Sequence, residues 1–230
     1  MNVSGLSGFS YLKKLKTKTG GEQMPKALNP RDNLKPKNLN GISDKQIDFH
    51  FDTHYKGYVT KYNEIQEKLA GADRSKANQN FSEYRALKVE ESFNYMGVVL
   101  HELYFENLGA KGSPSPDLKA SIEKFFGSIE KCQEELKASG IALRGWATLS
   151  CNLFTGELFV NGLDAHNLYG YVGSLPLIVL DVYEHAYYVD QGPKRPPYIE
   201  SFFGNLNWDV INSRFAKCKK ACEALGSFIG

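Results

Sequence analysis

Residues 175–188, which read LPLIVLDVYEHAYY, form the stretch that decides the fold. An apolar run typical of a buried strand ends at Asp181, and His185 follows four residues later. A carboxylate at the end of a buried strand costs several kcal/mol unless it is paired or binds a metal. The simpler interpretation is that Asp181 caps the helix that follows, because aspartate is a common cap residue. The sequence on either side favours the metal.

A histidine-bearing helix is predicted in the first half of the chain. Ser43 and Gln46 match a capping box, which predicts a helix that runs from there to a break near Gly71. On this helix His50, His54 and Tyr58 follow one another at intervals of four, so they share one face.

A second helix is predicted from about Ser82 to Leu108, with Gly109 just beyond its end. It carries His101 within the apolar segment GVVLHELYF. The short polar break between the two helices favours an antiparallel hairpin, in which His50 and His101 would lie close together.

The second half of the chain begins after a Gly/Pro/Ser-rich linker at residues 109–116. One helix is predicted over about 117–139, then three strands, and finally short helices near 183–190 and 196–205 and a last helix near 209–227. The strand-like segments read RGWATLSCNL (144–153), ELFVNGLD (157–164) and LPLIVLDVY (175–183). The predicted fold class is α+β: an N-terminal antiparallel helical hairpin domain (34–112) is followed by an α/β domain (113–230) with a three-stranded antiparallel sheet.

Charge is distributed unevenly along the chain. Residues 1–40 contain seven Lys, one Arg and two acids, a net of +6, so the remainder carries about −4 of the total +2. We therefore expect no nucleic-acid partner, and the absence of a long apolar run predicts no membrane span. Residues 1–33 are interpreted as a basic, flexible arm. A cytoplasmic location is expected, although an organelle-targeting role for the basic segment stays open.

The four cysteines do not match a zinc ribbon or a secreted disulfide framework. Cys218 and Cys222 stand one helical turn apart and could approach each other. We expect reduced structural thiols, as is usual in a cytosolic protein.

All five histidines lie in apolar or aromatic surroundings: His50, His54, His101, His166 and His185. One buried histidine is usually a hydrogen-bonded core residue. Several imidazoles near one carboxylate instead suit zinc, iron or manganese rather than calcium or magnesium. An HExxH cluster, typical of hydrolytic zinc, is absent. The residues alone predict a mononuclear, histidine-rich metal site between two domains, without naming a reaction.

Three segments together resemble the iron/manganese superoxide dismutase family. DVYEHAYY at 181–188 is similar to that family's D-x-W-E-H-A-[FY]-Y signature, and HELYFENL at 101–108 to its H-x-x-[FY]-W-x-N-L segment. The HxxxHxxxYV stripe beginning at His50 matches the family's first helix. The resemblance covers about residues 34–215 and implies dismutation of superoxide to oxygen and hydrogen peroxide by one redox-cycling iron or manganese ion per subunit.

The resemblance also assigns residues position by position. It implies the metal ligands His50, His101, Asp181 and His185. It places His54 and Tyr58 at the gateway to the metal, Trp146 on the cavity wall and Arg195 at the anion entrance, with Lys56 a weaker alternative. Glu184 and Tyr188 would reach the partner subunit's metal site, so a homodimer or a dimer of dimers is expected.

His166 corresponds to the position from which some family members hydrogen-bond the metal's solvent ligand. The alternative position for that group, four residues before the second ligand, is Gly97 and cannot serve. His166 would help to set the redox potential and supply protons. This combination favours iron slightly over manganese.

Several positions depart from the family pattern. Tyr183, Phe105 and Thr148 stand where tryptophan is usual, and Thr53 replaces a cation. The altered aromatic wall keeps open another metal-dependent oxidoreductase, such as a low-level peroxidase. The basic arm keeps open a non-catalytic metal-binding or interaction protein on the same fold.

Overall fold

The protein is described from a computed structural model, and the description extends over residues 26–225. Apart from the short 3₁₀ helices Asp32–Leu34, Arg74–Lys76 and Glu184–Ala186, the helices of this part of the chain are α1 (Asp44–Asp48, Phe49–Tyr55 and Lys56–Gly71 in succession), α2 (Glu83–Glu106), α3 (Pro116–Phe126), α4 (Ile129–Ala142), α5 (Tyr188–Gln191), α6 (Arg195–Gly204) and α7 (Trp208–Leu225). The strands are β1 (Trp146–Asn152), β2 (Leu158–Leu163) and β3 (Ser174–Asp181). Among residues 26–225, no helix is long and apolar enough to cross a membrane. The predicted fold class is confirmed.

Helix α1 begins as predicted, because the Ser43 hydroxyl accepts a hydrogen bond from the backbone N–H of Gln46 at 3.1 Å. Its second stretch, Phe49–Tyr55, is π-helical, with wider turns than an α-helix. This widening was not predicted from the sequence. It lies where the helix carries two histidines, and π-helical turns occur frequently at functional sites.

Helix α2 is capped by Ser82, whose hydroxyl accepts from the backbone N–H of Arg85 at 3.1 Å. It packs along α1 to form the hairpin. Side chains of both helices enter the main core, including Phe51 and Tyr55 from α1 and Leu100 from α2. The hairpin therefore has a buried face directed toward the rest of the molecule.

The single helix predicted over 117–139 is wrong, because the structure has two helices there, α3 and α4. Gly127 ends α3 with a φ of +87°, in the left-handed region that favours glycine. The next residue, Ser128, caps α4 by accepting from the backbone N–H of Lys131 at 3.2 Å. The Gly-Ser pair in the sequence was the signal for this break.

The sheet has the strand order β2-β1-β3, with both pairings antiparallel. Trp146, the first residue of the central strand, lies opposite Leu163 on one side and Asp181 on the other. The register therefore places the carboxylate that ends β3 beside the tryptophan that starts β1. A turn that contains Thr155 and Gly156 connects β1 to β2.

Polar side chains join the hairpin to the sheet. Asn107, at the end of α2, accepts from the N–H of Val179 at 2.8 Å and donates to the carbonyl of Leu177 at 3.2 Å. Arg214 of α7 donates to the same Leu177 carbonyl at 3.0 Å and pairs with Glu106 at 2.9 Å. These contacts fix α2 relative to β3, the two elements that carry His101 and Asp181.

The predicted basic arm lies outside the described residues up to position 25. Its last part is described and is docked on the hairpin. Leu28 exchanges two backbone hydrogen bonds of 2.9 Å with the side chain of Asn63, and Arg31 pairs with Glu102 and Glu106 at 3.1 and 2.9 Å. Residues 28–31 therefore contact α1 and α2, and the flexibility of the arm as a whole stays a prediction.

The expected reduced state of all the cysteines is wrong for one pair. Cys151 of β1 and Cys218 of α7 form a disulfide across 67 positions of sequence, while Cys132 and Cys222 are free. The partner of Cys218 is thus a distant strand residue and not Cys222. Which cysteines pair across so long a separation depends on the tertiary fold and cannot be deduced from spacing.

We expect Cys218→Ser to lower the free energy of unfolding by about 4 kcal/mol, because a cross-link closing a loop of this length restricts the unfolded chain. The disulfide joins the central strand to the last helix. Urea unfolding of the variant, with Cys132→Ser as a control outside the disulfide, measures the effect. Equal unfolding midpoints for Cys218→Ser and the wild-type protein would contradict the prediction.

Candidate metal centre

Four side chains from both domains converge between the hairpin and the sheet. His50 comes from the π-helical turn of α1, His101 from α2, Asp181 from the end of β3, and His185 from the single turn Glu184–Ala186. One donor atom from each lies within 4.8 Å of the donor atoms of the others. Three of the side chains are fully buried, and only His185 is partly exposed, at 13%.

The three imidazoles are aimed at one oxygen. The Nε2 atoms of His50, His185 and His101 lie 3.0, 3.2 and 3.6 Å from Oδ2 of Asp181. If His50 were the only imidazole near this oxygen, the contact would be an ordinary buried hydrogen bond to Asp181. Three nitrogens around one carboxylate oxygen form the donor set of a transition-metal site.

The tautomer of His101 decides between a hydrogen-bond cluster and a cation site. Its Nδ1 lies 2.6 Å from the carbonyl oxygen of Gly97 and donates its proton there. The Nε2 atom of neutral His101 then carries a lone pair, which faces a carboxylate oxygen. This Nε2 atom is buried without a hydrogen-bond partner. Two buried acceptors facing each other are stabilised by a cation between them. The residues present therefore fit a bound metal ion.

Electrostatics keep the donors in the forms that bind metal. Burial lowers the pKa of His50 to about 4 and that of His101 well below its ordinary value, so both imidazoles are neutral at pH 7. Burial by itself would raise the pKa of Asp181. The facing imidazoles of His185 and His50 outweigh burial and hold this pKa well below its usual range.

Neighbouring groups orient the ligands. The other carboxylate oxygen of Asp181, Oδ1, accepts from the backbone N–H of Tyr183 at 2.9 Å. The Gln46 amide donates to the carbonyl of His185 at 2.6 Å and accepts from the N–H of Val189 at 3.0 Å. Gln46 thus joins α1 to the turn that carries His185. The sequence suggested only a helix-capping role for this residue, and no signal in the sequence indicated the longer-range contact.

His166 is held in one tautomer by Trp146. The indole Nε1–H donates to Nδ1 of His166 at 2.9 Å, so the proton of the neutral imidazole resides on Nε2. Burial lowers the pKa of His166 to about 4, so the ring stays neutral. Its Nε2 is buried without a partner, and its ring centroid lies 5.7 Å from that of His101. His166 therefore offers one free N–H donor beside the metal ligands.

The two predicted gateway residues border the ligands. The ring of His54 stacks on that of His185 with centroids 4.2 Å apart, and His54 is partly exposed. The ring of Tyr58 meets that of His166 edge-on, with centroids 4.6 Å apart, and its centroid lies 5.1 Å from that of His101. Phe93 of α2, which the sequence did not single out, also packs against His166, with ring centroids 4.5 Å apart.

We expect Gly97→Ala to displace the ring of Tyr58. A Cβ at position 97 would lie 2.9 Å from Cγ of Tyr58, closer than carbon atoms approach, whereas a Cβ at Gly57 of α1 would meet nothing within 4 Å. Overpacking of this kind costs about 1–3 kcal/mol. Urea unfolding and activity, each measured against the matched Gly57→Ala variant, test the prediction. A Gly97→Ala protein as stable and as active as Gly57→Ala would contradict it.

The structure gives Arg195 contacts other than those expected at an anion entrance. Its guanidinium donates to the carbonyls of Gly140 and Leu143 at 3.0 and 2.7 Å, at the C-terminal end of α4, and to the Tyr187 hydroxyl at 3.3 Å. A cation at this end of a helix stabilises the unpaired carbonyls. The entrance role of Arg195 stays a prediction.

The alternative entrance cation, Lys56, is neutralised by carboxylates. Its ammonium group pairs with Asp32 at 2.9 Å and with Asp52 at 3.0 Å. Lys56 is thus paired with two carboxylates, and the guanidinium of Arg195 is hydrogen-bonded to two carbonyls and a hydroxyl.

The two residues expected to bridge subunits are exposed. Glu184 and Tyr188 flank the ligand His185 along the chain, and Tyr188 is 51% exposed. Phe49 and Val189, which lie on contacting elements α1 and α5, are 48% and 46% exposed.

The positions that lack the family tryptophans are filled by other packed side chains. The ring of Tyr183 stacks on His185 at 5.1 Å, and Phe105 lies 5.0 Å from His50. Thr148 is buried, and its hydroxyl lies 2.9 Å from that of Ser150. Thr53 is exposed. The ligand cluster keeps its aromatic surroundings despite these substitutions.

Two family models match successive parts of the chain. Residues 24–109 match the alpha-hairpin domain of iron/manganese superoxide dismutases, and residues 114–214 match the C-terminal domain of the same enzymes. The chain belongs to the iron/manganese superoxide dismutase family. All four residues of the donor cluster lie within these two matched regions.

Individual superoxide dismutases also match most of the chain. The chain is 65% identical to "Superoxide dismutase [Fe]" of Aquifex aeolicus and to the protein of the same name from Aquifex pyrophilus, over 88% of this chain and 97% of each relative. It is 34% identical to "Superoxide dismutase [Mn] 2" of Haloferax volcanii, over 79% of this chain and 91% of that relative. The resemblance inferred from the sequence is confirmed.

Proposed function

We propose that this protein converts superoxide to oxygen and hydrogen peroxide at one iron ion per subunit. Membership of the superoxide dismutase family supports the reaction. The observation that carries the metal site is the convergence of three imidazole Nε2 atoms on one oxygen of Asp181. The proposed ligands are His50, His101, Asp181 and His185.

Iron is proposed as the native metal. The two relatives that are 65% identical are both named as iron enzymes, whereas a named manganese enzyme is 34% identical. Imidazole and carboxylate donors suit either ion, so the choice rests on these relatives and not on the ligand types.

An ion that alternates between two oxidation states supplies the redox chemistry, so that one superoxide is oxidised to oxygen and a second is reduced to peroxide. The protein must deliver the protons that the reduction consumes. The N–H at Nε2 of His166 is buried without a partner, and the hydrogen bond from Trp146 fixes its tautomer. This N–H is therefore suited to donate a hydrogen bond to superoxide or to a solvent molecule in the site.

Tyr58 is proposed as the second proton-bearing group. Burial raises the pKa of its hydroxyl, so the hydroxyl keeps its proton at pH 7. Its ring borders both His166 and His101. His54, partly exposed and stacked on His185, would narrow the path by which solvent and superoxide reach the ligands.

The reaction is tested by its stoichiometry. Metal-loaded protein is mixed with superoxide, and superoxide loss, oxygen release and peroxide formation are measured together. Dismutation gives one oxygen and one peroxide for every two superoxide ions consumed. Peroxide without oxygen would indicate a reductase instead, and metal-loaded protein without turnover would favour a binding protein.

We propose a homodimer whose subunits meet through Glu184 and Tyr188. The carboxylate of Glu184 and the ring of Tyr188 are both exposed and lie close along the chain to the proposed ligand His185. Their exposure supports an interface at this surface. In such a dimer Glu184 would orient the partner's metal ligand. The cytoplasmic location inferred from the sequence stays a prediction.

We expect a dimer for the wild-type protein at micromolar concentration and a shift toward monomer for Glu184→Ala, because the variant loses a contact at the centre of the proposed interface. Light scattering measures the mass. Glu67→Ala, at an exposed position of α1, is the matched control and should remain dimeric. A wild-type monomer, or equal masses for Glu184→Ala and Glu67→Ala, would contradict the proposed interface.

A further inference from the structure

Three sulfur atoms form a second cluster of reactive groups, separate from the metal centre. The Sγ atoms of Cys151, Cys218 and Cys222 lie within 4.8 Å of one another. Cys151 lies near the end of β1 opposite to Trp146, and five strand residues span about 17 Å. The sulfur cluster thus lies at the other end of the sheet from Asp181. None of its three cysteines is among the residues assigned to superoxide dismutation.

The three cysteines differ in their access to solvent. Cys151 and Cys218, which form the disulfide, are buried, whereas Cys222 is partly exposed. Cys222 and Cys151 both line an open surface groove of about 490 Å³, and of these two only Cys222 is partly exposed. A small thiol or disulfide entering this groove would meet Cys222 before the buried sulfurs of Cys151 and Cys218.

Cys222 is also placed to react with the disulfide. Its Sγ lies 3.9 Å from Sγ of Cys218, about the contact distance of two sulfur atoms, and 3.6 Å from the carbonyl oxygen of Asn152. Thiol–disulfide exchange requires a thiolate next to a disulfide sulfur. Structural zinc sites use four protein ligands, and this cluster offers three among residues 26–225, which favours exchange over metal binding.

We propose that Cys222 is the exchange thiol through which low-molecular-weight thiols and disulfides open and remake the bond between Cys151 and Cys218. In the closing direction, the Cys222 thiolate attacks a small disulfide, forms a mixed disulfide and releases one small thiolate. The Cys218 thiolate then attacks Sγ of Cys222 and releases the second small thiolate. Finally, the Cys151 thiolate attacks Sγ of Cys218 and releases Cys222 as the thiolate.

The sequence of exchanges is balanced. The small disulfide gains two electrons and becomes two thiols, Cys151 and Cys218 lose two electrons and form the disulfide, and their two protons pass to the released thiolates. Cys222 is regenerated at the end. Opening by an excess of small thiol follows the same steps in reverse. The covalent link between β1 and α7 thereby responds to the thiol and disulfide concentrations around the protein.

The test uses the full-length, metal-loaded protein with 2-mercaptoethanol and its disulfide, 2-hydroxyethyl disulfide. After reduction and removal of reductant, the protein is re-oxidised with the small disulfide, and free cysteines are identified over time by alkylation and mass spectrometry. The matched control is Cys132→Ser, because Cys132 is buried, free and outside the cluster.

We expect closure in Cys222→Ser to be slower than in wild type by about tenfold or more, since the accessible attacking thiol is gone. Cys132→Ser should close at the wild-type rate. In Cys218→Ser the second step is blocked, so a mixed disulfide should accumulate on Cys222. Superoxide turnover of Cys222→Ser should equal that of wild type, which shows that the variant is folded.

Two results would overturn the proposal. One is closure of Cys222→Ser as fast as that of wild type. The other is wild-type protein in which Cys151 and Cys218 remain thiols in a large excess of 2-hydroxyethyl disulfide. Neither result bears on superoxide dismutation, because the cluster shares no residue with the metal centre.

Discussion

Asp181→Ala is expected to abolish metal binding and superoxide turnover together. The carboxylate of Asp181 is the group on which the Nε2 atoms of His50, His185 and His101 converge. Without it, three imidazoles remain and the negative charge that favours a cation is lost. Replacement of groups that merely orient a ligand costs 10–100-fold in affinity, so we expect a loss of at least about 100-fold for the ligand itself.

Metal content by elemental analysis and superoxide consumption, measured on the same preparation, test this prediction. Asp209→Ala is a suitable control, because the carboxylate of Asp209 is exposed and forms a salt bridge with the ammonium group of Lys111, 3.0 Å from Oδ2 to Nζ. Asp181→Asn should also lose turnover, since it keeps the shape of the side chain without its charge. An Asp181→Ala protein that retains one tightly bound ion would show that the ligand assignment is wrong.

Removal of the metal is expected to lower the free energy of unfolding substantially. The ligands come from both domains, so the ion can bind only when α1, α2 and β3 are assembled. Free metal at 1,000 times its dissociation constant stabilises the folded state by about 4 kcal/mol. The buried Nε2 of His101, unpaired without the metal, adds a desolvation cost in the metal-free protein.

Urea unfolding with and without a chelator measures the difference. The Asp181→Ala protein should unfold at the same urea concentration in both conditions, because it has no ion to lose. Identical unfolding curves for metal-loaded and metal-free wild-type protein would contradict a metal that links the two domains.

Features set by local sequence were predictable in this protein. The cap at Ser43, the hairpin of α1 and α2, and the three strands follow from capping residues and hydrophobic periodicity. The convergence of Asp181 and His185 follows from their spacing at the end of an apolar strand. The resemblance then placed His50 and His101 with them, and the donor cluster in the structure contains these four residues.

Features that depend on contacts distant in sequence were not predictable. The π-helical turn at Phe49–Tyr55 leaves no clear pattern in the residues, and its Phe51 and Tyr55 side chains pack in the main core. The bonds from Gln46 to His185 and Val189, and the disulfide between Cys151 and Cys218, join segments that only the tertiary fold brings together. The contacts of Arg195 with the end of α4 also depend on the tertiary fold, and its entrance role stays a prediction.

The break between α3 and α4 was a different kind of error. Gly127 and Ser128 are strong signals for a helix end followed by a helix start, and both were present in the sequence. In the structure the positive φ of Gly127 ends the first helix.

A titration of metal-free protein with ferrous iron under anaerobic conditions tests the central claim most directly. Superoxide turnover is measured at each step, beside a parallel titration of Asp181→Ala. The account predicts that turnover rises in proportion to bound iron, stops rising at one ion per chain, and stays at background in the variant. Bound iron without turnover, or turnover that does not depend on Asp181, would contradict a single catalytic ion at this site.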